Sequence, residues 1–312
     1  MQPVFNIVLP VFAIILAGYL AGRLRLLGPA SAEALNRFVF YFALPPLLFI
    51  STARVDAADL MRGPFVGAYL GGLLLTFVLA MIGARFLFGH RRRDWAAMHG
   101  MAAVFANTGY VGIPLFLAAF GPERLLPAVL ATVATNVVLV GCVTAIIETA
   151  RHREAGLAAA LGHAVVAVVR SPLFLAPVAG MAVAGLGLGA ALPQPVINFC
   201  ELLGGTAGPG ALFALGLSLV GRSLNVDWAE LGWIVALKLV VHPLLTFALV
   251  TYVFTVDPFW AKSAVLLAAM PSAALVFVLA QTYGIYVQRA SAAIVATTVL
   301  SMLTLSWLLV TF

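Results

Sequence analysis

The sequence predicts an all-α polytopic membrane protein: ten transmembrane helices forming two inverted five-helix repeats, with helices 4 and 9 broken and crossing. Three observations carry this expectation. The 312 residues are 63% hydrophobic and only 9% charged, whereas a soluble domain is about half apolar and about a quarter charged. Apolar runs of spanning length, interrupted by Gly, Pro or charge, fall at 3–22, 34–52, 65–88, 95–120, 125–149, 171–189, 196–221, 229–255, 258–283 and 290–311. Short matches also recur in the same order, at a nearly constant spacing, across the two halves of the chain.

The first run carries no basic segment ahead of it, Arg23 being the first basic residue, so it reads as a spanning helix and not as a cleaved signal. With the N-terminus outside, the cytoplasmic connections hold twelve basic residues: Arg23, Arg25, Arg37, Arg85, Arg91, Arg92, Arg93, Arg151, Arg153, Arg170, Arg222 and Arg289. The opposite side holds four, Arg54, Arg62, Arg124 and Lys262, and Lys238 lies inside the eighth helix. That excess places both termini outside and accounts for the net charge of +6 without a nucleic-acid partner. Trp95, Trp228, Trp260 and Trp307 fall near helix ends, where interfacial anchors belong. Cys142 and Cys200 lie in apolar runs with no metal or disulfide spacing, and read as small core residues.

The repeat is read from four matches. Pro10 with Ala17-Gly18 recurs as Pro177 with Ala184-Gly185, at an offset of 167. Pro45 with Phe49 recurs as Pro209 with Phe213, offset 164, and Val133-Ala134-Thr135 as Val295-Ala296-Thr297, offset 162. Between these, Asn107-Thr108-Gly109 falls on Pro271-Ser272-Ala273. Five helices is an odd number, so the halves enter the membrane from opposite sides, the build of many secondary transporters. Residues 1–150 form the first repeat, 151–170 a cytoplasmic connector, and 171–312 the second repeat. The connector contains His152-Arg153-Glu154 and suits a short amphipathic helix.

Asn107 to Pro114 read Asn-Thr-Gly-Tyr-Val-Gly-Ile-Pro in the middle of the fourth apolar run. Glycine and proline penalise a helix interior, and unwound backbone survives in a bilayer only where protein or a water-filled cavity satisfies it. Pro271-Ser272 breaks the ninth run at the matching place. Two crossed breaks would each offer one half-helix N-terminus with free N–H groups and one C-terminal end with free carbonyls, an arrangement suited to a carboxylate. The candidate substrate-binding residues are therefore Asn107, Thr108, Gly109, Tyr110, Pro114, Asn136, Lys238, Pro271 and Ser272. Lys238, about ten residues into its helix, is costly there unless paired. It suits three roles: complementing an anionic substrate, holding the ends of the broken helices, or standing where a coupling cation binds elsewhere. His242, one turn on, reads more readily as a packed histidine than as a proton carrier.

Several classes are excluded. No Asp or Glu lies centrally in any run, which disfavours antiport through a buried carboxylate pair. The five histidines show no short metal-binding spacing, no phosphate-binding glycine loop is present, and no nucleophile and base converge. The sequence thus predicts no cofactor, no metal and no enzyme activity.

On Asn107 to Pro114, Pro271 and the ten helices, the whole chain resembles the auxin efflux carrier family, which includes bacterial permeases and the plant PIN-type carriers. The resemblance implies the fold of the bile-acid symporters. A scaffold would comprise helices 1, 2, 6 and 7, and a transport domain helices 3–5 and 8–10. It further implies an elevator-like movement, a bacterial inner-membrane location and room for a homodimer through the scaffold. Asn107 matches the family's substrate-contacting asparagine. The plant carriers have a second asparagine at the ninth-helix crossover and a long cytoplasmic loop, where this chain has Pro271-Ser272 and the short 151–170. The expected function is secondary transport of a small organic anion: a carboxylate, an auxin-like aromatic acid or a dicarboxylate. The alternatives are a membrane-embedded solute sensor or scaffold, and a sodium-coupled bile-acid-type symporter. The last lacks the acidic residue near its crossover, where only Gln281 stands.

Overall fold

The computed structural model describes residues 4–55, 62–151, 162, 166, 169–222 and 226–311. The amphipathic helix expected around His152-Arg153-Glu154 lies outside the described residues. In order, the main helices are α1 (Asn6–Arg23), α2 (Pro29–Ala53), α3 (Gly63–Phe86), α4 (Arg93–Val104), α5 (Thr108–Phe120) and α6 (Leu126–Ala150). They continue with α7 (Pro172–Gly185), α8 (Gln194–Ser218), α9 (Trp228–Tyr252), α10 (Pro258–Ala268), α11 (Leu275–Tyr283) and α12 (Val287–Thr311). Seven of them are long and apolar enough to cross a membrane, and α5 and α7 are shorter apolar helices. The fourth and ninth apolar runs are each divided, into α4 and α5 and into α10 and α11.

Local chemistry sets the ends. Asp227 caps α9 by accepting from the Ala229 and Glu230 N–H groups. Asp257 caps α10 through the Phe259 N–H, with Pro258 at the first helical position. α11 closes on Gly284 in the left-handed conformation (φ 63°). Four helices carry a widened π-helical turn, at Val4–Val8, Val39–Ala43, Thr108–Gly112 and Leu237–Val241. Each lies two residues ahead of a proline (Pro10, Pro45, Pro114 or Pro243). A proline clashes with the carbonyl four residues back and cannot bond it, and the wider turn accommodates that carbonyl. A fifth such turn, Asn136–Val140 in α6, has no proline behind it.

The chain forms two compact units. Unit 1 comprises 1–63, 109–133 and 169–220; unit 2 comprises 64–108, 134–168 and 221–312. In unit 1, α1 packs along the second half of α8, and α2 packs against α7 and the first half of α8. The first contact depends on missing side chains. A Cβ on Gly18 would lie 2.1 Å from the Phe213 carbonyl oxygen, and one on Gly216 would lie 2.0 Å from that of Ile15. Small residues let membrane helices approach backbone to backbone in this way. Gly18→Leu is therefore expected to destabilise the protein by about 1–3 kcal/mol, read as a lower melting temperature in detergent. Gly185→Ala, with nothing near the new methyl group, leaves it unchanged.

In unit 2, α4 is buried on all faces from Ala96 to Val104, and α10 from Ser263 to Ala268. Helix α3, by contrast, turns Leu75, Val78, Leu79 and Ile82 outward. Exposed apolar stripes of this kind suit a lipid environment. Two expectations are corrected. Trp260 is buried, with its ring 5.0 Å edge-on from that of Phe65, and does not sit as an interfacial anchor. Cys142 is exposed and does not belong to the core, whereas Cys200 is buried. The protein is all-helical and multi-pass.

Candidate functional site

α4 ends at Val104, where Phe105 turns extended (ψ 93°). The strand-like residues that follow meet the second break directly. The Asn107 N–H donates to the Pro271 carbonyl at 2.7 Å, and the Ala273 N–H donates to the Phe105 carbonyl at 2.9 Å. Ala106 and Ser272 thus form an antiparallel bridge. Pro271 has no N–H to give, and here it offers only its carbonyl. The Ser272 hydroxyl donates to the Ala102 carbonyl at 2.7 Å, on the last turn of α4, and its N–H donates to the Thr297 hydroxyl oxygen at 3.0 Å. Asn107, Thr108 and Ser272 are all buried. The unwound backbone is therefore satisfied by protein, as non-helical backbone at membrane depth requires.

Lys238 stands on the π-helical turn of α9 and is completely buried. Its Nζ donates to the Ala268 carbonyl at 2.6 Å and lies 3.3 Å from His242 Nδ1. Ala268 is the last residue of α10. Of the three roles open to this lysine, the observed contact is that of holding the end of a broken helix. A fixed ammonium there meets the negative end of the helix dipole. At the other break, the Ala102 carbonyl in the last turn of α4 accepts from the Ser272 hydroxyl, and the Phe105 carbonyl just past the helix end accepts from the Ala273 N–H. In the first turn of α11 the Val276 and Phe277 N–H groups turn back onto the Ala273 and Ala274 carbonyls, and this end of the helix carries its partial positive charge. The crossing thus presents neutralised C-terminal ends alongside a helix N-terminus, an arrangement that favours an anion.

Asn136 is one step removed. It is half-buried and follows Thr135, whose hydroxyl pairs with that of Tyr69 at 3.0 Å; the Tyr69 ring centroid lies 6.3 Å from that of His242. Gly109, Tyr110 and Pro114 fall in unit 1, where the Tyr110 hydroxyl donates to the Asn36 carbonyl at 3.4 Å and Pro114 packs beside Gly208. The structure therefore gathers Asn107, Thr108, Pro271, Ser272 and Lys238 in unit 2, with Asn136 near them. Sequence reasoning missed Tyr69, Thr297 and Thr298. The Thr298 hydroxyl is buried with no partner among the described residues. Thr135 and Thr297 did carry a signal, since they fall in one of the four recurring sequence matches, but that match pointed to a fold and not to a contact.

A second polar constellation lies elsewhere in unit 2. Glu230, in the first turn of α9, is buried. Its Oε1 lies 2.8 Å from His90 Nε2 and 3.0 Å from His99 Nδ1, and it accepts from the Tyr286 hydroxyl at 2.5 Å. Arg289 Nε donates to Oε2 at 2.6 Å. Burial, followed by the Glu230 carboxylate, pushes the Tyr286 phenol well above its ordinary pKa, so it remains a donor. No short His or Glu spacing announces this cluster, because its members come from four places along the chain. His90 and His99, nine residues apart in sequence, meet at one carboxylate oxygen in space.

Comparison with known proteins gives these features a family. Residues 3–309 match the family model described as "Membrane transport protein". A Rhizobium meliloti (strain 1021) protein named "Putative malonate transporter" is 37% identical over 99% of this chain and 96% of its own length. An "Uncharacterized transporter" of Methanothermobacter thermautotrophicus is 30% identical over 96% of this chain and 95% of its own length. The "Lysosomal cholesterol signaling protein" of Mus musculus is 25% identical over 77% of this chain and 29% of its own length. The chain therefore belongs to the membrane transport protein family of the auxin efflux carriers, and is a multi-pass transporter, not an enzyme.

Proposed function

We propose that the protein is a secondary transporter of a small organic anion, and that a short dicarboxylate of the malonate type is the substrate class to test first. The observation that carries this reading is the polarity of the crossing. Lys238 and the Ala106–Ser272 bridge occupy the carbonyl ends, so the positive N-terminal end of α11 is the one left for a ligand. Asn107 and Thr108 would bind one carboxylate, with the charge of Lys238 behind them. The name of the Rhizobium relative points to the same chemistry. The Lys238 ammonium already sits on a helix C-terminal carbonyl, the kind of position a coupling sodium ion takes in transporters. Transport is accordingly expected to be independent of sodium.

The ten-helix inverted repeat and the elevator movement belong to the same proposal. Two pairs of packing contacts within unit 1 support the repeat. A Cβ on Gly18 would meet the Phe213 carbonyl, and one on Gly180 would meet that of Phe49, at 2.4 Å. Gly216 approaches the Ile15 carbonyl, and the Thr52 hydroxyl donates to that of Pro177 at 3.1 Å. Gly18 and Ile15 map onto Gly180 and Pro177 at an offset of 162, while Phe49 and Thr52 map onto Phe213 and Gly216 at 164. These contacts favour pairing Gly18 with Gly180 over pairing it with Gly185 as the register of the repeat. Unit 1 gathers residues 1–63 and 169–220, where helices 1, 2, 6 and 7 of the expected scaffold lie. The excess of arginine in alternate connections supports an inner-membrane orientation with both termini outside.

Counterflow of labelled malonate and longer or aromatic carboxylates in proteoliposomes tests the reading. Exchange of a carboxylate in sodium or in choline buffer alike is the expected result. Binding without counterflow of any carboxylate would instead favour the sensor reading, which the name of the mouse relative makes worth separating. Asn107→Ala is expected to weaken carboxylate binding about tenfold, the usual scale for one hydrogen bond to a charged group, with the melting temperature unchanged. Unaltered affinity in that variant would remove Asn107 from the site.

A further inference from the structure

We propose that His90, His99 and Glu230 form a binding site for a divalent transition-metal ion of the zinc class, separate from the helix crossing. Three donor atoms of suitable type converge: His90 Nε2, His99 Nδ1 and Glu230 Oε1 all lie within 4.8 Å of one another. Two imidazole nitrogens and a carboxylate oxygen are a recurring zinc donor set. The Tyr286 oxygen stands at the fourth position, 2.9 Å from His99 Nδ1, and would either ligate or yield its place to water. His99 is fully buried and the Glu230 side chain is 3% exposed, while His90 at 13% leaves a way in from the surface.

The surroundings hold these atoms in place. Arg289 grips Oε2, which keeps Oε1 turned toward the histidines, and ligating carboxylates are ordinarily held by such outer hydrogen bonds. Tyr286 has a left-handed backbone (φ 61°), a costly conformation for an aromatic residue, and this conformation brings its hydroxyl into the cluster. The separations of 2.8 and 3.0 Å around Oε1 are those of a hydrogen-bonded, contracted cluster. Around zinc, bonds of about 2.0–2.1 Å give tetrahedral edges of about 3.3 Å, so the two separations around Oε1 would widen by a few tenths of an ångström, and the two histidine nitrogens, within 4.8 Å of each other, would take up the third edge. Two features limit the affinity. Arg289 already balances the charge of Glu230, and His99 Nε2 has no partner of its own among the described residues. The site is therefore one of moderate affinity, suited to regulation more than to folding.

Occupation would tie together the segment before α4, α4 itself and α9. Because α4 carries Asn107 beyond its far end, a metal here would restrain the element that holds the crossing. The test uses the full-length protein in detergent, stripped with a chelator and titrated with Co²⁺. One equivalent is expected to bind with the intense visible absorption of tetrahedral cobalt, to be displaced by Zn²⁺ and to be unaffected by Mg²⁺. His90→Gln, at the most exposed ligand, is expected to elute and melt as the parent does but to bind Co²⁺ at least tenfold more weakly. Zn²⁺ should also raise the melting temperature of the parent and not that of this variant. Absence of cobalt absorption in the parent, or equal affinity in the folded variant, would overturn the site and leave a purely hydrogen-bonded cluster. Binding is read without any transport measurement, so the fate of the carrier reading does not affect the outcome.

Discussion

Replacing Glu230 with alanine is expected to cost the protein about 3 kcal/mol, the lower end for removing one partner of a buried ion pair. The loss is large because one carboxylate satisfies four side chains: His90, His99, Tyr286 and Arg289. Without it, the buried His99 and Tyr286 lose their acceptor, and the left-handed backbone at Tyr286 loses the hydrogen bond that offsets its strain. Arg289 is one-third exposed and recovers some solvation, which keeps the figure at the lower end. Thermal unfolding in detergent is the measurement, and Glu230→Gln, which retains an acceptor oxygen, should lose less. A melting temperature equal to that of the parent in Glu230→Ala would mean that the cluster contributes nothing to stability.

Lys238→Met is expected to lower carboxylate transport by about 10- to 100-fold, the equivalent of about 1.5–3 kcal/mol for a charge-assisted contact. Methionine has nearly the same length and fills the same volume, so the packing of α9 on α10 survives and only the charge is lost. The Ala268 carbonyl then faces the site without its cation, and an anion meets an unneutralised helix end. Lys238→Ala removes volume as well and should cost stability in addition. Comparing the two separates charge from packing. Full transport by Lys238→Met, with an unchanged melting temperature, would confine the lysine to a spectator role.

Much of the fold was legible because membrane helices advertise themselves through composition, and their breaks through glycine and proline. Asn107 to Pro114 and Pro271-Ser272 were visible for that reason, although the first break begins earlier, at Phe105, where no residue type signals it. What Lys238 touches was not legible. Its partner is a backbone carbonyl, and a carbonyl has no letter in the sequence. The Glu230 cluster was hidden for a different reason: its five side chains converge only after α4, α9 and α12 have packed, and no periodicity reports convergence. Trp260 was misjudged because proximity to a helix end says nothing about which face a ring occupies. The glycines of unit 1 stand out in the sequence only as recurring letters, whereas at Gly18 and Gly180 what matters is a backbone carbonyl too close to admit a side chain.

The interleaving of the two units has a consequence for how the chain is made. Unit 1 draws its last segment from residues ending at 220, so it can close as soon as that point has emerged from the ribosome. Unit 2 begins at residue 64 but needs α12, so its early helices wait until residue 311 has been made. At synthesis rates of about 5–20 residues per second, that wait lasts roughly 5 to 20 s beyond the completion of unit 1. For the first 52 residues of it, α4 has no partner for its unwound end, because Pro271 and Ser272 have yet to be made. The unwound backbone after α4 thus stays without its native hydrogen-bond partners after unit 1 is complete, and it is where quality-control proteases would find an unfinished chain.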